Sequence, residues 1–204
     1  MNGAEIIVKS LAEYGVSHVF GLVGTTTLEI LDALHRDPRI TYISVRHEQV
    51  AASMADGYAR VTGKHGVCLV HSGPGAANLT LGVAAAYKDS SPVVALTGNE
   101  PTFKLGRDCW HELDHLALFR PITKLALQAR NIEELPRVLQ AGLGAALQGR
   151  PGPVHIDLPR NVCQAQATTQ MISSPSPLAA PRPDSEAIRQ TAALLLKAQR
   201  PLVI

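Results

Sequence analysis

The sequence predicts an α/β protein with a doubly wound, mostly parallel sheet that carries helices on both faces. Short apolar runs, the candidate strands, alternate along the chain with amphipathic or alanine-rich stretches, the candidate helices. Most of these runs are apolar throughout, as expected for strands that helices cover on both faces. Helices of this length between strands imply right-handed crossovers and therefore parallel pairing.

The predicted elements follow one another closely. Residues 3–14 carry apolar side chains at helical spacing, and Gly15 ends that helix. A strand is predicted at residues 16–23, followed by a helix through Leu28 and Leu34. The remaining strands are predicted at residues 40–45, 66–70, 92–96, 122–127 and 154–158, and the intervening helices at residues 48–61, 76–87 and 132–147.

The chain changes character after this first domain, which we assign to residues 1–163. Residues 164–183 are rich in proline, serine, threonine and glutamine, which predicts a linker. Asp184 and Ser185 are candidate caps of a helix at residues 186–197, and the apolar end of the chain resembles the first strand of a second α/β domain. We therefore expect residues 184–204 to begin a central domain, and the chain to be part of a longer enzyme.

Composition excludes several classes of protein. The 204 residues include 46% hydrophobic and 18% charged residues, and 19 basic against 17 acidic residues give a net charge of +2. So small a charge argues against a nucleic-acid-binding surface, and no apolar stretch reaches the roughly 18 residues of a membrane span. The three cysteines form no CxxC pair, and the N-terminus lacks the pattern of a signal peptide. We expect a cytoplasmic protein.

Glu48 is the first candidate for chemistry. It lies in Arg46-His47-Glu48-Gln49, at the junction between a predicted strand and a helix. Ligands of open α/β sheets bind beyond the carboxyl ends of strands, so a carboxyl group here is well placed to meet one. The alternative is a first-turn glutamate that only stabilises the helix dipole. Val50, Ala51 and Met54 would provide an apolar surround.

The segment HSGPGAAN, residues 71–78, is the second candidate. Its glycines allow a ligand to approach the backbone closely. It does not match a dinucleotide fingerprint, because Asn78 replaces the third glycine and Pro74 removes an amide donor. The alternative is a tight turn between strand and helix.

The turn through Phe20 and Thr25, after the first strand, lacks the GK[ST] of a phosphate loop.

A third segment, His111-Glu112-Leu113-Asp114-His115, matches the zinc motif HExxH. On a helix this spacing places two imidazoles on one face, with a glutamate beside them as base. Gly106 and Pro121 flank the motif closely, which argues against a long helix, and no third ligand follows at a familiar spacing. A zinc hydrolase stays open as an alternative.

Together these segments resemble the N-terminal, pyrimidine-binding domain of thiamine-diphosphate enzymes, closest to the group of acetolactate synthase and benzoylformate decarboxylase. The resemblance covers residues 1–165 in order. It rests on four segments: AEIIVKSLAEYGVSHVFGLVG, RHEQVAASMADGYAR, SGPGAANLTLGVAAAYKDSSPVVALTG and GRPGPVHIDLPRNV.

The resemblance implies roles for individual residues. A glutamate at the position of Glu48 hydrogen-bonds the cofactor's pyrimidine ring nitrogen and favours the imino form that takes the C2 proton; the cofactor carries the chemistry and the protein orients it. Other matching positions face the cofactor or lie near the active site: Val23 (usually proline in the family), Gly24, Thr25, Gly73, Pro74, Gly75, Asn78 and His111.

Benzoylformate decarboxylase has a histidine at the position of His71 and a serine at that of Thr25. Thr25 and His71 are therefore candidates to bind a substrate carboxylate and relay protons; packing at a strand end is the alternative for His71.

The resemblance also implies cofactors and partners. The family binds the diphosphate through Mg²⁺, using a GDG…N motif in a C-terminal domain, and no GDG occurs in this sequence. The active site of the family lies between this domain and the diphosphate-binding domain of another subunit, so a homodimer or homotetramer is implied, with a pairing face built from the alanine-rich helices.

The substrate would be a 2-oxo acid, and FAD is possible in a central domain. We expect no metal site within this chain, and no nucleic acid or membrane as a partner. A non-catalytic regulatory module with this fold is a further alternative.

Overall fold

A six-stranded sheet forms the centre of the protein in a computed structural model that describes residues 1–167 and 183–202. In chain order the strands are β1 His18–Gly21, β2 Thr41–Ser44, β3 Gly66–Val70, β4 Val93–Asn99, β5 Leu125–Gln128 and β6 Val154–Pro159. Every neighbouring pair is parallel, and the order across the sheet is β2-β1-β3-β4-β6-β5. The predicted α/β class and parallel sheet are therefore confirmed.

Helices cover both faces of the sheet. In chain order the helices of this domain are α1 Gly3–Glu13, α2 Leu28–Arg36, α3 Glu48–Thr62, α4 Pro74–Lys88, α5 His115–Phe119, α6 Leu135–Leu147 and α7 Arg160–Gln164. A further helix, α8 Ser185–Lys197, has no buried residue. Along β3, Val67 and Leu69 join the apolar cluster under α1, α2 and α6, whereas Cys68 and Val70 join the cluster under α3, α4 and α5. This alternation buries both faces of one strand, which explains why the strands are apolar without a polar repeat.

Some predicted boundaries were wrong for local reasons. The predicted helix at residues 132–147 begins only at Leu135, because Pro136 lies in its first turn. The predicted strand at residues 122–127 begins at Leu125, because Arg120–Ile122 form a 3₁₀ turn. The helices α5 and α7 were missed, since five residues are too few for a helical repeat to be recognised.

The C-terminal helix was predicted correctly. The side chain of Asp184 accepts a hydrogen bond from the Glu186 N–H at 3.0 Å, and none of the residues of α8 is buried. Most of the predicted linker, residues 168–182, and the end of the predicted last strand, residues 203–204, lie outside the described residues, and the division into domains stays a prediction. Within residues 1–167 and 183–202, no helix is both long and apolar enough to cross a membrane.

Candidate functional site

The candidate site lies where the order in which strands are added to the sheet reverses. The chain passes from β1 outward to β2 and then returns to place β3 on the other side of β1. The connections after β1 and β3 therefore run in opposite directions and leave a crevice beyond the carboxyl ends of these strands, where doubly wound proteins bind ligands. The turn after β1, residues 22–24, and the turn after β3, residues 71–75, border this crevice.

Glu48 is the first residue of α3, which begins where the chain returns from β2. Its Oε2 accepts a hydrogen bond from Asn78 Nδ2 of α4 at 2.9 Å. Within the described part of the chain, Oε1 has no hydrogen-bond donor, and it faces Gly75, where a Cβ atom would lie 3.4 Å away. The carboxylate is thus held by one oxygen and presents the other to the start of α4.

Two glycines, Gly73 in the turn after β3 and Gly75 in the first turn of α4, leave room beside the crevice. Gly73 has φ of 59° and ψ of −110°, a conformation that L side chains avoid, and a Cβ atom there would overlap the carbonyl oxygen of His111. Gly75 leaves open the space between Glu48 and His71, because its Cβ would touch both side chains. The two glycines therefore bring the backbone close to the residues that face the crevice.

His71 follows β3 and is held by the turn after β1. Its Nδ1 accepts hydrogen bonds from Thr26 N–H at 3.3 Å and from Thr26 Oγ1 at 2.9 Å. Its proton is therefore on Nε2, which lies 3.1 Å from His111 Nδ1. Burial, followed by the nearby His111, lowers the pKa of His71, so the neutral imidazole is favoured.

His111 belongs to a loop that crosses over the turn after β3. Its φ is 62°, and its ring stacks on Trp110 with the ring centroids 4.6 Å apart. The carboxylate of Glu112 binds the amides of Gly106 and Cys109 within the same loop, and these backbone hydrogen bonds lower the pKa of Glu112. The loop is thereby folded on itself, with His111 against His71.

This geometry argues against the zinc hydrolase alternative. His111 lies in the loop, whereas His115 begins α5, so the two imidazoles do not share a helix face. Both ring nitrogens of His115 are occupied: Nε2 accepts from Gly73 N–H at 2.9 Å, and Nδ1 lies 2.7 Å from Asp157 Oδ1. Glu112 is bound to backbone amides rather than free to act as a base.

The structure brings together most of the residues singled out in the sequence. The residues that converge on the crevice are Gly24, Glu48, His71, Gly73, Gly75, Asn78 and His111. Val23, Thr25 and Pro74 adjoin these residues in the chain and have exposed side chains. Thr26, rather than Thr25, contacts His71, and the sequence held no signal for this because three threonines stand in a row.

The expected apolar surround of Glu48 is only partly present. Ala51 is fully buried, but Val50 is 45% exposed and Met54 37% exposed. These two residues lie four positions apart on the outer face of α3, away from the sheet. Within this chain, Glu48 therefore lies at the edge of an apolar surface rather than inside it.

Comparison with known proteins shows the family. The profile of the family described as thiamine pyrophosphate enzyme, N-terminal TPP binding domain, matches residues 1–118. The chain therefore belongs to this family of thiamine pyrophosphate enzymes.

The chain is also similar to several acetolactate synthases. It is 44% identical over 210 residues to a probable acetolactate synthase large subunit of Methanocaldococcus jannaschii, covering 100% of the chain and 35% of that relative. It is 46% identical over 162 residues to the acetolactate synthase isozyme 3 large subunit of Escherichia coli, covering 79% of the chain and 28% of that relative. An acetolactate synthase of Mycobacterium bovis is 39% identical, with 100% of the chain and 33% of the relative covered. The chain thus spans about a third of the length of these relatives, and the similarity favours the acetolactate synthase group over the decarboxylase and zinc hydrolase alternatives.

Proposed function

We propose that this chain is the pyrimidine-binding part of an acetolactate synthase-like enzyme that decarboxylates 2-oxo acids, with or without transfer of the acyl fragment to an acceptor. Thiamine diphosphate supplies the carbanion chemistry of such a reaction when it is bound. In this proposal the chain binds and orients the pyrimidine end of the cofactor through Gly24, Gly73, Gly75 and Asn78, with Val23, Thr25 and Pro74 at the rim.

The observation that carries the proposal is the arrangement of Glu48. One carboxylate oxygen is held by Asn78 at 2.9 Å, while the other faces the gap that Gly75 leaves open. We assign a planar ring with a nitrogen acceptor to this gap, which a Cβ atom at Gly75 would narrow. Glu48 would share a proton between Oε1 and that nitrogen, which an amide in its place could not exchange.

His71 is the second residue that we assign to catalysis. Its hydrogen bonds with Thr26 place the proton on Nε2, toward His111 and the crevice. A neutral imidazole in this position could hold a substrate carboxylate by its N–H or move a proton to the reacting carbon. The packing role alone would not explain why His71 contacts a second histidine instead of an apolar side chain.

A second subunit is part of the proposal. Pro74, Asn78, Leu81 and Ala85 form one exposed stripe of α4, at the spacing that aligns side chains along a helix face. The candidate cofactor residues are thus continuous with Leu81, which is 63% exposed, and with Val50 and Met54 on the adjoining α3. This face lies on the two alanine-rich helices, as expected from the resemblance, while many of their alanines are buried within the chain, for example Ala51, Ala52 and Ala86. We infer that the exposed apolar residues meet the diphosphate-binding domain of another subunit, which would hold Mg²⁺, in an oligomeric cytoplasmic enzyme.

The test is Glu48→Gln in the full-length enzyme, with Glu5→Gln as the matched control. Glutamine at position 48 can still accept from Asn78, so the fold should be retained while proton sharing is lost. We expect hydrogen–deuterium exchange at C2 of the bound cofactor, followed by NMR, to slow at least about 100-fold. Glu5 is also a first-turn glutamate, in the capping box of α1, and its change should leave exchange unaltered. Exchange at the parental rate in Glu48→Gln would leave only the helix-dipole role and refute the proposal.

A further inference from the structure

A buried polar cluster lies directly beneath the turn after β3. It comprises Thr97 of β4, His115 of α5, and His155 and Asp157 of β6, none more than 2% exposed. The cluster touches the turn at one point, where the Gly73 N–H donates to His115 Nε2 at 2.9 Å. Buried amides of this kind need an acceptor, and α4 has no side-chain cap of its own at Gly73.

The direction of this hydrogen bond fixes the tautomer of His115. Because Nε2 accepts from Gly73, the proton is on Nδ1, which donates to Asp157 Oδ1 at 2.7 Å. A carboxylate behind an imidazole commonly fixes the orientation of the ring in this way. His115 therefore connects the carboxylate of Asp157 to the backbone of the turn.

Asp157 is itself held in place from both sides. Its Oδ1 also accepts from Thr97 Oγ1 at 2.8 Å, and its Oδ2 accepts from Asn99 Nδ2 at 2.7 Å and from Gln128 Nε2 at 2.6 Å. Burial acts to raise the pKa of Asp157, but the hydrogen bond and charge of His115 and the neighbouring donors outweigh it and lower the pKa. The carboxylate is thus a fixed, ionised anchor for the imidazole.

The same cluster has the donor set of a cation site, yet the geometry favours a hydrogen-bonded network. Ligand atoms of His115, His155 and Asp157 lie within 4.8 Å of one another. The hydroxyl of Thr97 already lies among them, 2.8 Å from His155 Nε2, 2.8 Å from Asp157 Oδ1 and 3.3 Å from His115 Nδ1. A hydroxyl that bonds all three groups occupies the space that an ion would need.

We propose that His115, anchored by Asp157, is a positioning residue that holds the Gly73 turn, and with it Gly75 and Asn78, in the conformation that receives the cofactor's pyrimidine ring. The proposal rests on the proposed function, because it assigns the ring to this turn. The turn needs such support because Gly73 has no Cβ atom and can adopt many other backbone conformations as readily, so its own chemistry does not hold φ at 59° and ψ at −110°.

The experiment compares His115→Asn with His115→Gln in the full-length enzyme. Asparagine can place its amide near Nδ1 and still donate to Asp157, but it has no atom near Nε2 to accept from Gly73. Glutamine reaches further and can supply that acceptor. His155→Leu is the second control, since it removes another buried imidazole of the cluster that has no contact with the turn.

The first readout is hydrogen exchange of the Gly73 amide without cofactor. We expect exchange at least about tenfold faster in His115→Asn, near the parental rate in His115→Gln, and near parental in His155→Leu. The second readout is activity against thiamine diphosphate concentration. His115→Asn should raise the half-saturating concentration about tenfold with a smaller change in kcat, and His115→Gln should restore it. The proposal is overturned if the Gly73 amide of His115→Asn exchanges at the parental rate. It is also overturned if that amide exchanges faster while the half-saturating concentration of thiamine diphosphate is unchanged.

Two further measurements keep the outcome decisive. Should His115→Asn not fold, ¹⁵N NMR of histidine-labelled parental protein is used, and a proton found on Nε2 of His115 refutes the hydrogen bond to Gly73. Should Glu48→Gln show parental C2 exchange, the proposed function fails, while faster Gly73 exchange in His115→Asn would still establish the contact itself.

Discussion

Thr26 Oγ1 lies 2.9 Å from His71 Nδ1 and also accepts the Ser72 N–H at 3.2 Å. One hydroxyl therefore connects the turn after β1 with two successive residues after β3. Thr26 is 1% exposed and Ser72 is fully buried, so the Ser72 amide cannot turn to water if the hydroxyl is lost. This contact fixes the imidazole that faces the crevice.

Replacing Thr26 by valine should lower the free energy of unfolding. Valine keeps the shape of threonine but leaves the buried Ser72 amide without its acceptor, which costs about 1–3 kcal/mol. Urea unfolding measures the change. Thr25→Val is the matched control, because Thr25 is exposed and such changes usually stay within about 0.5 kcal/mol. Equal effects of the two variants would contradict the role given to Thr26.

Gly75→Ala should weaken cofactor binding without unfolding the protein. The new Cβ would lie 3.4 Å from Glu48 Oε1 and 3.5 Å from the His71 Cβ, which are ordinary contacts for a folded chain. It would nevertheless fill the gap that we assign to the pyrimidine ring. We expect the half-saturating concentration of thiamine diphosphate to rise at least about tenfold in the full-length enzyme.

Gly57→Ala provides the comparison for that experiment. Gly57 also lies in a helix, α3, but nothing lies within 4 Å of a Cβ built there. Alanine should therefore stabilise the helix by about 0.5–1 kcal/mol and leave cofactor binding unchanged. If Gly75→Ala binds the cofactor as well as Gly57→Ala does, the pyrimidine ring does not lie between Glu48 and His71.

Acid should destabilise the protein well above the range where its carboxylates titrate. Burial lowers the pKa of His155 from 6.5 to about 3, so between these values the unfolded chain binds a proton that the folded protein excludes. The free energy of unfolding therefore falls with decreasing pH in this window, by about 1.4 kcal/mol per unit for this group. The lowered pKa of Asp157 adds a loss only below about 3.8.

His155→Leu should remove this contribution. Urea unfolding of parent and variant at several pH values from 4 to 7 gives the slope of the free energy of unfolding against pH for each protein. The slope of the variant should be smaller by about 1.4 kcal/mol per pH unit, which corresponds to one proton. His65 and His71, whose pKa values burial also lowers, account for part of the slope that persists. Parallel curves for parent and variant would show that the folded protein can protonate His155 in this range.

Leu81→Glu should dissociate the full-length enzyme and reduce its activity without unfolding the chain. Leu81 is 63% exposed on the stripe of α4 that begins with Pro74 and Asn78, so a charge there disrupts only a contact between chains. Sedimentation velocity measures the assembly. Leu147→Glu is the control, since Leu147 is 39% exposed at the end of α6, on the opposite face of the sheet. Equal assembly of both variants would place the subunit contact elsewhere.

The sequence by itself determined the class of fold and the family. Uniformly apolar strands such as residues 66–70, separated by helices, require a parallel sheet covered on both faces, and this pattern is local and periodic. The glycines of residues 71–78 were also recognisable, because glycines between a predicted strand and a predicted helix are a local pattern of the sequence. Glu48 was singled out by its position after a strand and assigned to the site by the family resemblance, and it lies beside Asn78.

Only the tertiary structure decided how the distant parts of the site meet. Which of three successive threonines contacts His71, and that His115 accepts the hydrogen bond of the Gly73 N–H, depends on contacts across more than 40 positions of the chain. Likewise, Val50 and Met54 are apolar residues of α3 that the sequence could not assign to the inside or the outside. Spacing along the chain specifies which face of a helix a side chain occupies, but the packing of the sheet, the helices and their loops determines what that face meets.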